Sequence, residues 1–531
     1  MTFISIGFAA FFAASLLVYY LLPARFRPAW LAVSSVAFYL FSGPLNAVFI
    51  ASAAVVTFFC ALGAGRARED FFSKSKELKK TLPEDEFEKL RRSATARKRL
   101  FTAIPLVLNL GTLAVLLYLN FILENAFSLF GKEFTPLSLI VPLGLSFYTF
   151  AAVGYTVDVD RGKYPPERNF VYFLLFVTYF PHVTNGPIPR YDKIAPELRR
   201  ERKFEWETFS DGLRLCLWGI FKQLVISGTV APFVARIGTS WQQMGGAEIW
   251  FSMILWGIEL YTSFSGSIDI VRGISECYGI PLAENFKRPY FATDLTDYWN
   301  RWHITLSDWL KDYVFYPMAL SKRFARFSKF LKNKFGKFVA KTLPVGLLSL
   351  FLFTLVGVWH GANWGEILFG VFNGTVIMIS TFLEPLFVKI RPKLGMDKLR
   401  VWRIFRAART FIVITLTRVV SKAPSVGAAM SGYFRMFFSP GFGGFADYVA
   451  SRGGLGRLTL ELLPAIIGTA ALFAVSMIEE KHDDCRAVRL ALRERPVLRV
   501  ACEVALLAAV ILMGAYGLGY DASNFVYPPR P

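Results

Sequence analysis

Residues Pro344 to His360 read PVGLLSLFLFTLVGVWH. No charged side chain interrupts the run from Pro344 to Trp359. In lipid such a run takes the form of a helix, because only a helix or a closed barrel satisfies its backbone polar groups internally. At 1.5 Å per residue, the 19 positions from Lys341 to His360 cover roughly 28 Å, close to the thickness of a hydrocarbon core. The run therefore reads as a membrane span that begins in a basic segment and carries His360 far into, or across, the bilayer. An ionisable residue at that depth marks a functional site by default. The bland alternative is a histidine satisfied by a backbone carbonyl at a helix end. Gly357, Gly361 and Gly365 around it permit close helix approach or a local break.

The rest of the 531-residue chain extends the same pattern. Apolar residues make up 54% and aromatics 16%, with 53 phenylalanines, which fits one large polytopic domain over 1–531. Apolar stretches recur at 3–22, 28–42, 46–63, 101–123, 136–154, 170–188, 211–236, 247–268, 343–359, 366–388, 410–420, 462–478 and 498–517. They predict an all-α polytopic membrane protein with about 10–13 transmembrane or re-entrant helices. The run from Phe3 to Leu22 has no basic residues before it and Arg25 and Arg27 after it. It reads as an anchor rather than a cleaved signal peptide, with Arg25 on the cytoplasmic side.

Between the spans the charge is basic. The net charge of +21 lies between apolar runs, as in cytoplasmic loops and segments that face anionic lipid headgroups, which argues against nucleic-acid binding. Residues 64–100 read as a helical hairpin broken near Pro83. Residues 321–341 carry eight basic residues and no acidic one, interleaved with phenylalanine, and read as a basic amphipathic stretch at the membrane surface. Residues 389–409 and 480–499 are similar. Cys60, Cys216, Cys277, Cys485 and Cys502 are scattered, which suggests neither a disulfide framework nor a metal site.

The four histidines narrow the search. His303 lies in YWNRWHITLSDW, Tyr298 to Trp309. On one helix over 294–316, Trp299, Trp302, Leu306, Trp309 and Tyr313 share an apolar face. Asn300, His303 and Ser307 then form a polar stripe beside it. That stripe is either the wet face of an interfacial helix with tryptophan anchors or one wall of a cavity. His182, in YFPHVTNGPIPRY, reads as structural, at a break that needs protein cover at membrane depth. His482 lies in a charged loop and reads as solvated. Phosphate-loop, dinucleotide, zinc-protease and nucleophile-elbow motifs do not occur.

Two blocks together carry a family resemblance. ENFKRPYFATDLTDYWNRWHITLSDWLKDYVFYP, Glu284 to Pro317, followed by GVWHGANW, Gly357 to Trp364, resembles the membrane-bound O-acyltransferase family. The likeness is to its bacterial branch of alginate O-acetyltransferases and teichoic-acid D-alanine transfer proteins. It extends upstream through Val141–Phe170 and Tyr179–Tyr191, which puts the catalytic core at about 135–385. The resemblance implies a ring of helices around a central tunnel, with a thioester donor entering from the cytoplasm and a hydroxyl acceptor from outside. It makes His360 the catalytic histidine and His303 its partner, with Asn300, Ser307, Trp359 and Asn363 lining or supporting the site and no metal. It implies no bound cofactor, and acetyl-CoA or another acyl thioester as donor. The expected setting is the bacterial cytoplasmic membrane, among its lipids. The expected partner is an extracytoplasmic acyltransferase or the acceptor glycan.

The chemistry of the residues agrees. A hydroxyl is a weak nucleophile and needs a positioned base, and a histidine kept neutral by apolar surroundings can be one. Some residues depart from the branch, which commonly has YFDFSGYSDM where Tyr261–Ile270 reads YTSFSGSIDI. Ser263 replaces the usual acid and Ser267 the usual tyrosine, while Asp269 remains. After Pro317 the alginate-type Gly-Gly turn is replaced by MALSKRFARF. Asn300 is closer to the D-alanine type, the chain length to the alginate type. The expectation is acetyl transfer toward an exported polysaccharide or envelope glycan. D-alanyl transfer from a carrier-protein thioester is the alternative in the same class. A transporter is the alternative in another class, but it tends to show repeats with matching broken helices, and none is visible.

Overall fold

The computed structural model describes residues 2–41, 43–72, 74–390 and 400–516. Among these, regular structure is helical, and β-type pairing is confined to the antiparallel bridge between Phe286 and Trp302. Among the described residues seven helices are long and apolar enough to cross a bilayer: Pro44–Phe71, Glu84–Leu129, Trp206–Gln243, Lys322–His360, Trp364–Ile390, Leu455–His482 and Pro496–Met513. The protein is an all-α, multi-pass membrane protein. The first apolar stretches form shorter helices, Ile6–Leu21 and Arg27–Phe41.

Two apolar stretches are not continuous helices. In 136–154 the helix starts only at Leu145, after Gly144 in a left-handed conformation (φ 71°). A Cβ at Gly144 would lie 2.2 Å from the Val183 carbonyl oxygen, so only glycine fits there. Residues 170–188 break into Phe170–Thr178 and Phe180–Val183. The break has the protein cover that a bilayer demands: Phe173, Phe176, Tyr179 and Phe180 are fully buried. His182 is buried in this turn, its ring 5.4 Å from that of Tyr179. The 64–100 segment breaks as read, between Ser75–Thr81 and the helix that starts at Glu84.

Pro344–His360 is the second half of a 39-residue helix, Lys322–His360, which includes the basic amphipathic stretch. The helix bends at Gly336 (φ 84°, ψ 175°). Before and after the bend Phe327, Phe330, Phe335 and Phe338 are exposed among the lysines. Of residues 389–409, 391–399 lie outside the described residues, and the helix Arg400–Lys422 follows. His482 is the exposed last residue of Leu455–His482. All five cysteines are free.

Lys322–His360 turns back into Trp364–Ile390 to make a hairpin. Its two helices touch through glycine: a Cβ at Gly357 would lie 2.3 Å from the Glu366 carbonyl oxygen, and one at Gly370 would lie 2.2 Å from that of Phe353. Backbones this close need small residues on both helices. The hairpin thereby fixes where His360 ends.

Candidate active site

The structure corrects the single helix expected over 294–316. Leu295–Arg301 and Ile304–Leu310 are separate helices, followed by a π-helical turn over Lys311–Phe315. The break falls on Trp302 and His303. His303 takes a left-handed backbone (φ 47°, ψ 55°), and its carbonyl oxygen accepts from the amides of Leu306 and Ser307 at 3.1 Å. Asp294 caps the first helix, accepting from the Asp297 amide at 2.9 Å. The expected apolar face is also split. Trp299 and Trp302 pack with Phe264, Phe369 and Ile414, whereas Leu306 and Trp309 pack with Phe147, Phe150 and Val356. Trp299 donates to the Asn373 side chain at 3.3 Å and Trp309 to the Phe150 carbonyl at 2.9 Å. The tryptophans anchor the motif between two cores, not at a lipid interface.

A second chain segment holds the break open. The Lys287 amide donates to the Arg301 carbonyl at 2.9 Å and the Ile304 amide to the Asn285 carbonyl at 3.0 Å. The buried Asn285 side chain accepts from both the amide and the hydroxyl of Thr305, at 3.0 and 2.7 Å. The Ser307 hydroxyl reaches back across the break to the Trp299 carbonyl at 3.1 Å. These bonds replace those the interrupted helix lacks.

His303 is 2% exposed, its ring edge-on to Phe264 at 5.0 Å and 5.8 Å from that of Trp359. Among the described residues neither of its ring nitrogens has a hydrogen-bond partner. Burial pushes the imidazole down to about 3, and nearby His360 adds to the shift, so His303 is neutral at physiological pH. The Trp359 ring also lies 4.9 Å from that of His360, so one indole bridges the two histidines.

A cavity of about 220 Å³ joins them. His303, His360, Asn300 and Ser307 all line it, so the stripe expected on one continuous helix is assembled across a break instead. Its apolar wall includes Trp299, Leu306, Leu310, Phe353 and Val356. Lys311 is also at the wall, donating to the Asn300 side chain at 2.9 Å. Trp359 supports both rings from beside the cavity. Asn363 caps the returning helix, accepting from the Glu366 amide at 2.9 Å. Two imidazoles lining one cavity can pass a proton to or from a reacting oxygen and stabilise an oxyanion.

Residues 162–421 match the membrane-bound O-acyltransferase family. The chain is 27% identical to a probable alginate O-acetylase of Azotobacter vinelandii, over 87% of its own length and 82% of the relative's. It is 26% identical to a peptidoglycan O-acetyltransferase of Helicobacter pylori, over 81% and 76%. It is 27% identical to a teichoic acid D-alanyltransferase of Bacillus subtilis, over 47% and 61%. The protein is an acyltransferase, similar over these residues to the membrane-bound O-acyltransferase family.

In this acyltransferase the departures within Tyr261–Ile270 are filled from a neighbouring helix. Gln223 donates to the Ser267 hydroxyl and, at 3.2 Å, to the Ser263 carbonyl. Asp269 pairs with the buried Lys222 at 2.6 Å. None of these residues lines the 220 Å³ cavity. Three supports of the acyltransferase site had no sequence signal. Asn285 and Thr305 hold the break. Arg418, 3% exposed, donates to the Tyr298 hydroxyl at 2.7 Å with its guanidinium 5.3 Å from the Trp302 ring. Thr305 belongs to the motif and Asn285 to the segment before it, whereas Arg418 comes from a distant helix, and no helical spacing announces these contacts.

Proposed function

We propose that this acyltransferase moves an acetyl group from acetyl-CoA to hydroxyls of an exported polysaccharide or another envelope glycan, in the bacterial cytoplasmic membrane. The observation that carries the reading is that His303 and His360 line one cavity. In the proposed step His360 takes the proton of the attacking hydroxyl as its oxygen adds to the thioester carbonyl. The tetrahedral intermediate collapses, the C–S bond breaks, and the imidazolium returns the proton to the departing thiolate. One ester and one thiol result. The neutral His303 has one N–H to offer the developing oxyanion. The tryptophans and phenylalanines around both rings limit the entry of water, which would divert the acyl group to hydrolysis.

Two facts favour acetyl over D-alanyl. The O-acetylating relatives span 87% and 81% of the chain, the D-alanyltransferase 47%. Among the described residues the cavity lining holds no carboxylate, so the ammonium of a D-alanyl group would be desolvated without a counter-charge. The acceptor in this reading is either the glycan itself or an extracytoplasmic acyltransferase that passes the group on.

Thiol release from acetyl-CoA by the purified protein, with a hydroxylated oligosaccharide present, tests the proposal. The wild type should release thiol with ester formation. His360→Ala should lose roughly 10²–10⁴-fold in rate, the usual worth of a general base, while still inserting in the membrane. Full activity in that variant overturns the mechanism. Thiol release only from a D-alanyl carrier-protein thioester overturns the donor.

A further inference from the structure

Glu480 lies on the Leu455–His482 helix, outside the residues that match the family, yet three arginines converge on it. Its Oε2 accepts from Arg288 Nε and from Arg301 Nη1, both at 2.8 Å, and its Oε1 from Arg403 Nη2 at 2.7 Å. Arg301 stands two residues before His303 and donates also to Asp297 at 2.7 Å. Arg288 stands two residues after Phe286. The two arginines therefore flank the Phe286–Trp302 bridge, one on each segment, and one carboxylate holds them together across it. The Arg288 side chain is 3% exposed and donates also to Asp483 at 3.0 Å.

Backbone conformation marks the same assembly. Among the described residues three non-glycines have left-handed backbones: Arg288 (φ 48°), His303 (φ 47°) and Asp483 (φ 50°). Arg288 and Asp483 belong to this cluster, and His303 lies two residues beyond its Arg301. Such conformations cost free energy and persist where the surroundings over-determine them, most often at working sites.

We propose that Glu480 is a positioning residue for acyl transfer. By holding Arg288 and Arg301 together it locks the left-handed turn that aims His303 into the cavity, so the Leu455–His482 helix becomes part of the catalytic apparatus. The inference rests on the reading of His303 given above.

Glu480→Gln keeps the size and removes the charge. Its kcat per mole of folded enzyme should fall roughly tenfold to a hundredfold, the cost of displacing a reacting group by about 1 Å, with the KM for acetyl-CoA unchanged. Glu480→Asp, which keeps the charge, should recover part of the loss. Arg301→Lys keeps a charge but loses the planar fork, and should fall in kcat in the same way. It carries the test if Glu480→Gln does not fold. Wild-type kcat in Glu480→Gln or in Arg301→Lys overturns the proposal, as does a loss that only mirrors the loss of folded protein. His303→Ala is the control. If it is fully active, the reading of His303 fails. If it is inactive while Glu480→Gln is normal, the positioning role alone fails.

Discussion

The two histidines of the cavity are held in opposite ways. His360 ends a regular helix, and its place follows from a rise per residue and the glycine contact of a hairpin. His303 sits where a helix is interrupted, in a backbone conformation that an isolated chain disfavours, braced by Asn285, Thr305 and Ser307. One position is set by the end of a helix, the other by Asn285 from the preceding segment together with Thr305 and Ser307 of the motif itself. Side chains held in this way can be disturbed separately, because moving one support need not move the other.

Replacing His303 tests that difference most strongly. His303→Gly and His303→Ala should both lose on the order of 10²-fold or more in acyl transfer if the imidazole shares the chemistry. Their stabilities should differ. Alanine retains the left-handed strain and glycine relieves it, so the glycine variant should be the more stable by roughly 1–2 kcal/mol. Thermal unfolding in detergent measures this. Equal stabilities would mean that the turn relaxes when the ring is lost and that the backbone is not held by its neighbours.

Disturbing the His360 side should act through packing. Gly357→Ala brings a methyl group against the Glu366 carbonyl oxygen and should cost roughly 1–3 kcal/mol, as overpacking does. It should also lower activity by displacing His360. An unchanged melting temperature would show that the hairpin can open without penalty, which would weaken the argument that helix contact fixes His360.

The smallest effect belongs to the cap. Asn363→Ala removes the bond to the Glu366 amide and should cost about 1 kcal/mol, with acyl transfer reduced only slightly. A large loss of activity at normal stability would give Asn363 a role in the chemistry that its capping geometry does not suggest.

The fold class, the membrane setting and the two central histidines were legible in the sequence. Hydrophobic run length reports directly on a solvent that forces helices, and the spacing from Lys341 to His360 is a length in that helix. The motif at Tyr298–Trp309 reads as one continuous helix because its 3.6-residue periodicity survives a break. Two short helices with polar residues in phase leave the same trace as one long helix. The broken stretches at 136–154 and 170–188 were blurred for a related reason, since an apolar composition states burial but not continuity.

The sequence by itself determined that this is a polytopic helical protein with Asn300, His303, Ser307 and His360 as its polar candidates, because apolar runs and isolated polar residues are local properties. Tertiary structure alone decided that those residues face one cavity and that Arg288, Arg301 and Glu480 meet beside it. The left-handed turn at His303 is favourable only once Asn285 and its partners are in place, and those contacts join residues that the sequence keeps far apart.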